Sequence, residues 1–141
     1  MSTAEDNKAL VGRVEEAWGS GSLEALDELF SPDFDNSASG VPGMPPGLAG
    51  AKMAHQMSMQ SFPDRVLHVD DMIAEGDRVV VRGHVTGTNQ GGVPWVGLGP
   101  NGNPIDVMYI SIYRIADGKI AQHWAQNDIM GLMQQLGAMA G

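Results

Sequence analysis

Ser111-Ile112-Tyr113-Arg114-Ile115-Ala116-Asp117-Gly118-Lys119-Ile120 is two β-like runs meeting at an Asp-Gly pair. Asp-Gly is a strong two-residue hairpin signal, because a type I′ turn needs positive φ at both central residues and these two types tolerate it. Upstream, Ile105 to Ile115 alternates with the period of two expected of a strand with one buried face. Downstream, Lys119 to Asn127 reads as the partner strand. Further out, Gly87 to Gly102 holds six Gly and two Pro and reads as a broad hairpin loop. Arg78 to Thr88 is a β-rich run, Gly76-Asp77 a turn, and Arg65 to Ala74 alternates again. The second half of the chain is therefore an antiparallel meander.

The first half reads as helices. Thr3 to Gly19 places Leu10, Val11, Val14, Ala17 and Trp18 at helical spacing, and Gly19-Ser20-Gly21 stops it. Ser22 is placed to cap a second short helix with Leu23, Leu26, Leu29 and Phe30 as its apolar stripe, completing an αα-hairpin. Ser31 to Gly50 is rich in Pro and Gly and reads as a long loop, of the kind that often forms a lid or binding segment. A third helix is expected from Leu48 to Ser61, with Met53, Met57 and Gln60 on one face and Phe62-Pro63 as the stop. A short helix from Ile129 to Leu136 ends at Gly137. No internal repeat or linker interrupts residues 1–141, so one domain is expected. Helices, then a meander, then a closing helix argue α+β rather than doubly wound α/β. A curved antiparallel sheet wrapped by the early helices makes a cone-shaped barrel, whose mouth is a natural ligand site.

Composition narrows the function classes. The chain has 141 residues, 43% hydrophobic, enough for one core. With no cysteine it has no disulfides, thiol nucleophiles or thiolate metal sites. A net charge of -9 repels phosphate backbones, so no nucleic-acid partner is expected. Mean hydropathy is -0.13 and no run approaches the roughly 20 apolar residues of a membrane span. Met1 to Asp6 lacks the features of a signal peptide, so a cytoplasmic protein is expected. Ten Met residues suit irregular core filling, or alternatively a plastic pocket wall.

Several stretches, in order along nearly the whole chain, resemble the SnoaL-like polyketide cyclase family. They are Phe62-Pro63-Asp64, Ile73-Ala74-Glu75-Gly76-Asp77-Arg78-Val79-Val80-Val81-Arg82, Thr86-Gly87-Thr88, the hairpin stretch above, His123-Trp124 through Asp128, and Gly131 to Gly137. The resemblance implies the nuclear-transport-factor-like α+β cone, with no metal and no organic cofactor. It also implies a small hydrophobic molecule as ligand. Well-known members close a ring in aromatic polyketide esters by an intramolecular aldol reaction, using a carboxylate acid/base. Relatives with the same fold include ketosteroid isomerases, limonene-epoxide hydrolases, hydroxylases and non-enzymatic binders, and fold alone does not choose among them. A homodimer through the outer face of the sheet is expected.

Alternation puts His123, Ala125 and Asn127 on one face of the last strand, and Tyr109, Ser111 and Tyr113 on one face of its neighbour. The resemblance turns both faces into the pocket. It departs at one position: the cyclases carry their catalytic aspartate two residues after the histidine matching His123, where this chain has Ala125. Asp128 is the nearest carboxylate, readable as an acid/base at the rim or as the N-cap of the helix at Ile129. His123 reads as a proton acceptor or donor, or as a structural residue. His123 and Asp128 are thus the catalytic candidates. Asn36 lies where ketosteroid isomerases carry their base; it would orient a carbonyl, or serve turn chemistry beside Asp35. Trp18, Met53, Met57, Phe62, Trp95, Tyr109 and Ser111 join it as candidate substrate-binding residues, with plain core or interface packing as the alternative. Arg82 beside a carboxylate would suit epoxide opening, or be an outward charge. His55 and His68 read as surface residues, and the four His have no metal-ligating spacing. Gly97 to Gly102 lacks the lysine and helix of a phosphate loop.

The expectation is a cyclase- or isomerase-type enzyme acting on a hydrophobic carbonyl compound. The alternatives are a non-catalytic binding protein, favoured by Ala125, and an epoxide hydrolase or hydroxylase using the same pocket.

Overall fold

Thr3 opens helix α1 (Ala4–Ser20) with a capping box: its hydroxyl accepts from the Asp6 backbone N–H, and the Asp6 carboxylate accepts from the Thr3 N–H. Gly21, at φ 79°, ends the helix in the left-handed conformation. The computed structural model describes residues 3–36 and 43–139. The expected second helix is a 3-10 segment, Leu23–Glu28, and Ser22 makes no side-chain capping bond. Phe30 leaves it to begin strand β1 (Phe30–Asp35), which corrects the reading of Ser31 onward as loop. Pro32 lies in an edge strand, where its missing N–H interrupts little of the ladder. Residues 37–42 of the expected loop lie outside the described residues. Helix α2 is Gly47–Ser61.

The meander follows as β2 (Val66–Glu75), β3 (Arg78–Thr88), β4 (Pro104–Ala116) and β5 (Lys119–Asn127), and α3 (Ile129–Leu136) closes the chain. Asp117 and Gly118 take φ of 52° and 73°, as the I′ turn requires. The sheet order is β1-β5-β4-β3-β2, antiparallel except for β1, which runs parallel to β5. The sheet is curved and unclosed, with β1 and β2 at its edges. A register shift between Val69 and Asp71 marks a bulge in β2.

β4 alternates buried and exposed almost perfectly, turning Ile105, Val107, Tyr109, Ser111, Tyr113 and Ile115 inward. Helix α1 lays Leu10, Val11, Val14 and Trp18 against that inner side, in a core that includes Phe30, Phe34, Val79, Val81 and Ile120. A second cluster, Phe62, Val93, Ile105, Val107, Leu132 and Leu136, sits under α3. No helix among the described residues is long and apolar enough to cross a membrane.

Candidate functional site

The inner faces of β4 and β5 bring three facing pairs to one place: Tyr113 opposite His123, Ser111 opposite Ala125, and Tyr109 opposite Asn127. Helix α1 adds Glu15 and Trp18, three residues apart and so on one face. Helix α2 adds Ala51, Ala54, His55 and Ser58; Asn36, Arg65, Leu67 and Val85 complete the lining. These residues line an open-mouthed cavity of about 250 Å³.

Glu15 was not singled out by the sequence reading. It is 4% exposed, on the apolar stripe of α1 with Val11, Val14 and Trp18. Tyr109 Oη donates to Glu15 Oε2 at 3.5 Å, and Tyr113 Oη donates to Oε1 at 3.4 Å. Both bonds are long, so burial dominates: it pushes the carboxyl from 4.5 up to about 7, against the pull of the two phenols. Burial and the neighbouring Glu15 charge in turn raise both phenols well above their ordinary value. The Tyr109 ring fits only because β3 carries Gly83 opposite it. A Cβ there would lie 2.7 Å from the Tyr109 hydroxyl and 2.4 Å from the His68 carbonyl oxygen. A carboxylate inside an otherwise apolar stripe was the available signal for Glu15.

The histidines in the cavity are neutral near pH 7. His123 stacks on Tyr113 with ring centroids 4.5 Å apart, and burial lowers its pKa from 6.5 to about 4. That shift weakens it as a base and leaves hydrogen bonding as its useful property. His55, read from sequence as a surface residue, instead stacks on Trp18 at 3.9 Å with an interplanar angle of 8°. Burial first, then the charges of Arg65 and His123, lower its pKa to about 3. Its Nδ1 accepts from both terminal nitrogens of Arg65 at 3.4 Å, which leaves its proton on Nε2.

Of the expected site residues, Trp18, Asn36, Tyr109, Ser111 and His123 line the cavity. Five others lie elsewhere. Asp128 is exposed and caps α3, its Oδ1 accepting from Gly131 N–H at 2.9 Å; the capping alternative describes its geometry. Met53 and Met57 are 43% and 38% exposed. They face outward because the stripe Ala51, Ala54, His55 and Ser58 faces the cavity, and its small side chains let α2 lie close. Phe62 belongs to the cluster under α3. Trp95 lies in the short 3-10 turn Pro94–Val96 and is 55% exposed. Arg82 points outward, where its Nε donates to Asp71 Oδ2 at 2.7 Å. The epoxide-opening arrangement built on Arg82 therefore has no cation in the cavity from that residue. His68, also read as a lone surface residue, stacks on His84 at 4.4 Å, and its Nε2 is 2.9 Å from Thr86 Oγ1. His84 Nδ1 lies 2.8 Å from Asp70 Oδ2. Among the described residues, no group of three His, Asp or Glu could hold a metal ion.

A curved sheet, helices over its inner face and one buried carboxylate among the described residues of the cavity define an α+β small-molecule pocket. The model of the SnoaL-like polyketide cyclases matches residues 8–136, and the chain belongs to that family. Among solved structures it is similar to TsrD from Streptomyces laurentii, with 29% identity, a TM-score of 0.86 and coverage of 99% of this chain and 100% of that one. AclR, a candidate hydroxylase from Streptomyces galilaeus, is 28% identical with a TM-score of 0.83, covering 98% and 100%. IdmH, a candidate polyketide cyclase from Streptomyces antibioticus, is 30% identical with a TM-score of 0.79, covering 93% and 98%. No curated protein matches the chain.

Proposed function

We propose that the protein is a cyclase-type enzyme that acts on a hydrophobic, polyketide-like carbonyl compound, and that Glu15 moves the proton. The observation that carries this reading is the Glu15 carboxyl, buried at the cavity between Tyr109 and Tyr113 and titrating near 7. A general acid/base works best when its pKa lies near the working pH. Ionised Glu15 takes a proton from the carbon next to a carbonyl, and the C–H electron pair moves into an enolate. The enolate carbon attacks a second carbonyl of the same molecule, forming the ring bond. The new alkoxide then takes the proton back from the Glu15 carboxylic acid. Nothing is gained or lost, so the product is an isomer. Tyr109, Ser111 and Asn36 position the oxygens, and neutral His123 offers a hydrogen bond to the developing charge. Glu15 thus supplies, from the helical side, the carboxylate missing at Ala125.

The test is a product assay by liquid chromatography and mass spectrometry on a panel of aromatic polyketide esters and epoxides. Wild type should give an isomer of unchanged mass. Glu15→Gln should slow its formation by about 100-fold or more. Wild-type turnover by Glu15→Gln would refute the assignment, and a product heavier by one water would mean hydration instead. Ala125 keeps a second reading open, a non-catalytic binder. In that case no panel member turns over, while ligands still raise the melting temperature.

A further inference from the structure

Arg65 lies between α2 and β2, is 8% exposed, and borders the cavity. All its hydrogen-bond partners are uncharged. One terminal nitrogen donates to the Trp18 carbonyl oxygen and to His55 Nδ1, the other to Ser58 Oγ at 3.3 Å and to the same His55 nitrogen. Its Nε is buried with no hydrogen-bond partner among the described residues. No described Asp or Glu forms an ion pair with it, and residues 1–2, 37–42 and 140–141 contain neither type. Glu15, the other buried charge-bearing group of the cavity, is engaged by the two tyrosines instead. A guanidinium taken out of water without a counter-charge is costly. Burial accordingly lowers its pKa, with no carboxylate opposing the shift.

A purely structural role explains part of this. Arg65 ties the last turn of α1 to α2 through Trp18 and Ser58. Those bonds need donors, not a positive charge, and the charge is what stays uncompensated. Its surroundings on the cavity side suit an anion: His55 is neutral, its Nδ1 is committed to Arg65, and its Nε2–H is a further donor.

We infer that the substrate is an apolar carbonyl compound bearing one carboxylate, and that Arg65, with His55 beside it, receives that carboxylate. This deepens the cyclase reading, on which it rests for the word substrate. With both terminal nitrogens engaged, the guanidinium offers a carboxylate its positive charge and the one N–H that has no partner, at Nε. A single cation in a small, largely apolar cavity fits a monoanion better than a phosphate dianion. Anchoring the acid at Arg65 fixes the remainder of the molecule relative to Glu15, so that one carbon is offered for deprotonation.

The test uses 2-naphthoate and methyl 2-naphthoate as probes, titrated calorimetrically at mildly acidic pH, where Glu15 is mostly protonated. Wild type should bind the acid about tenfold or more tightly than the ester. Arg65→Met should abolish that preference and leave ester affinity unchanged, which also reports an intact fold. Because Arg65 joins two helices, Arg65→Lys is measured beside it; it keeps the charge without the planar guanidinium and should retain part of the preference. Equal affinity for the two probes in wild type, no binding of the acid, or an undiminished acid preference in Arg65→Met would overturn the inference. Glu15→Gln separates the two ideas. It should keep the acid preference, so full turnover by that variant refutes Glu15 as the acid/base and leaves Arg65 untouched. Loss of the preference in Arg65→Met alone says nothing against Glu15.

Discussion

Replacing Glu15 by Gln and following stability against pH tests the electrostatic account directly. In the folded protein the carboxyl titrates near 7, against 4.5 for an ordinary glutamate. Between those values the folded state keeps a proton that the unfolded chain has released. Wild-type stability therefore falls as pH rises through that window, and levels off above it. The displacement amounts to about 3 kcal/mol. Two buried histidines act in the opposite sense. His55 and His123 titrate at about 3 and about 4 when folded, so each costs stability as pH falls below 6.5. Both are present in either protein, so the informative quantity is wild type minus Glu15→Gln at each pH. That difference should fall by about 3 kcal/mol from about pH 4 to about pH 8. Urea unfolding followed by tryptophan fluorescence, to which Trp18, 3% exposed when folded, contributes the change on exposure, gives the numbers. A difference that stays flat, or that rises with pH, refutes the claim that burial outweighs the two phenols.

Two further perturbations separate position from chemistry. Asp128→Ala removes the acceptor for Gly131 N–H and should cost about 1 kcal/mol in thermal unfolding while leaving turnover unchanged; a large loss of turnover would return Asp128 to the chemistry. Gly83→Ala forces a methyl against the His68 carbonyl and the Tyr109 hydroxyl, and should cost about 1–3 kcal/mol. Displacing Tyr109 also removes one group that lowers the Glu15 pKa, so a carbon-13 titration of that carboxyl should move above the wild-type value.

The strand half of the cavity was legible because a period of two assigns faces outright. The Asp117-Gly118 turn alone would set Tyr113 opposite Gln122; a register shift between Arg114 and Ile115 is what brings Tyr113 opposite His123 and Ser111 opposite Ala125, and no local pattern announces it. The parallel edge strand β1 was not legible. Its partner β5 lies about 90 positions away, and Pro32-Asp33 look locally like a loop. Helical periodicity likewise gives stripes but not their direction. On α2 the Met53–Met57 stripe and the Ala51–Ala54–His55–Ser58 stripe are both regular, and close packing against β1 favours the smaller one.

Glu15 and Arg65 were hidden for a related reason. Glu15 acquires its raised pKa from burial that only the fold creates, beside phenols 94 and 98 positions along the chain, and Arg65 meets Trp18 and His55 only in the fold. The useful local clue is a conflict. A charged residue on the apolar face of a helix, as Glu15 is, is costly in a core unless something answers it. Glu15 is answered within the protein, by two hydroxyls and by taking up a proton. Arg65 does not lose its charge so readily, and its protein partners are neutral. Of the two it is therefore the one whose charge balance, on the inference drawn above, is completed from outside the chain.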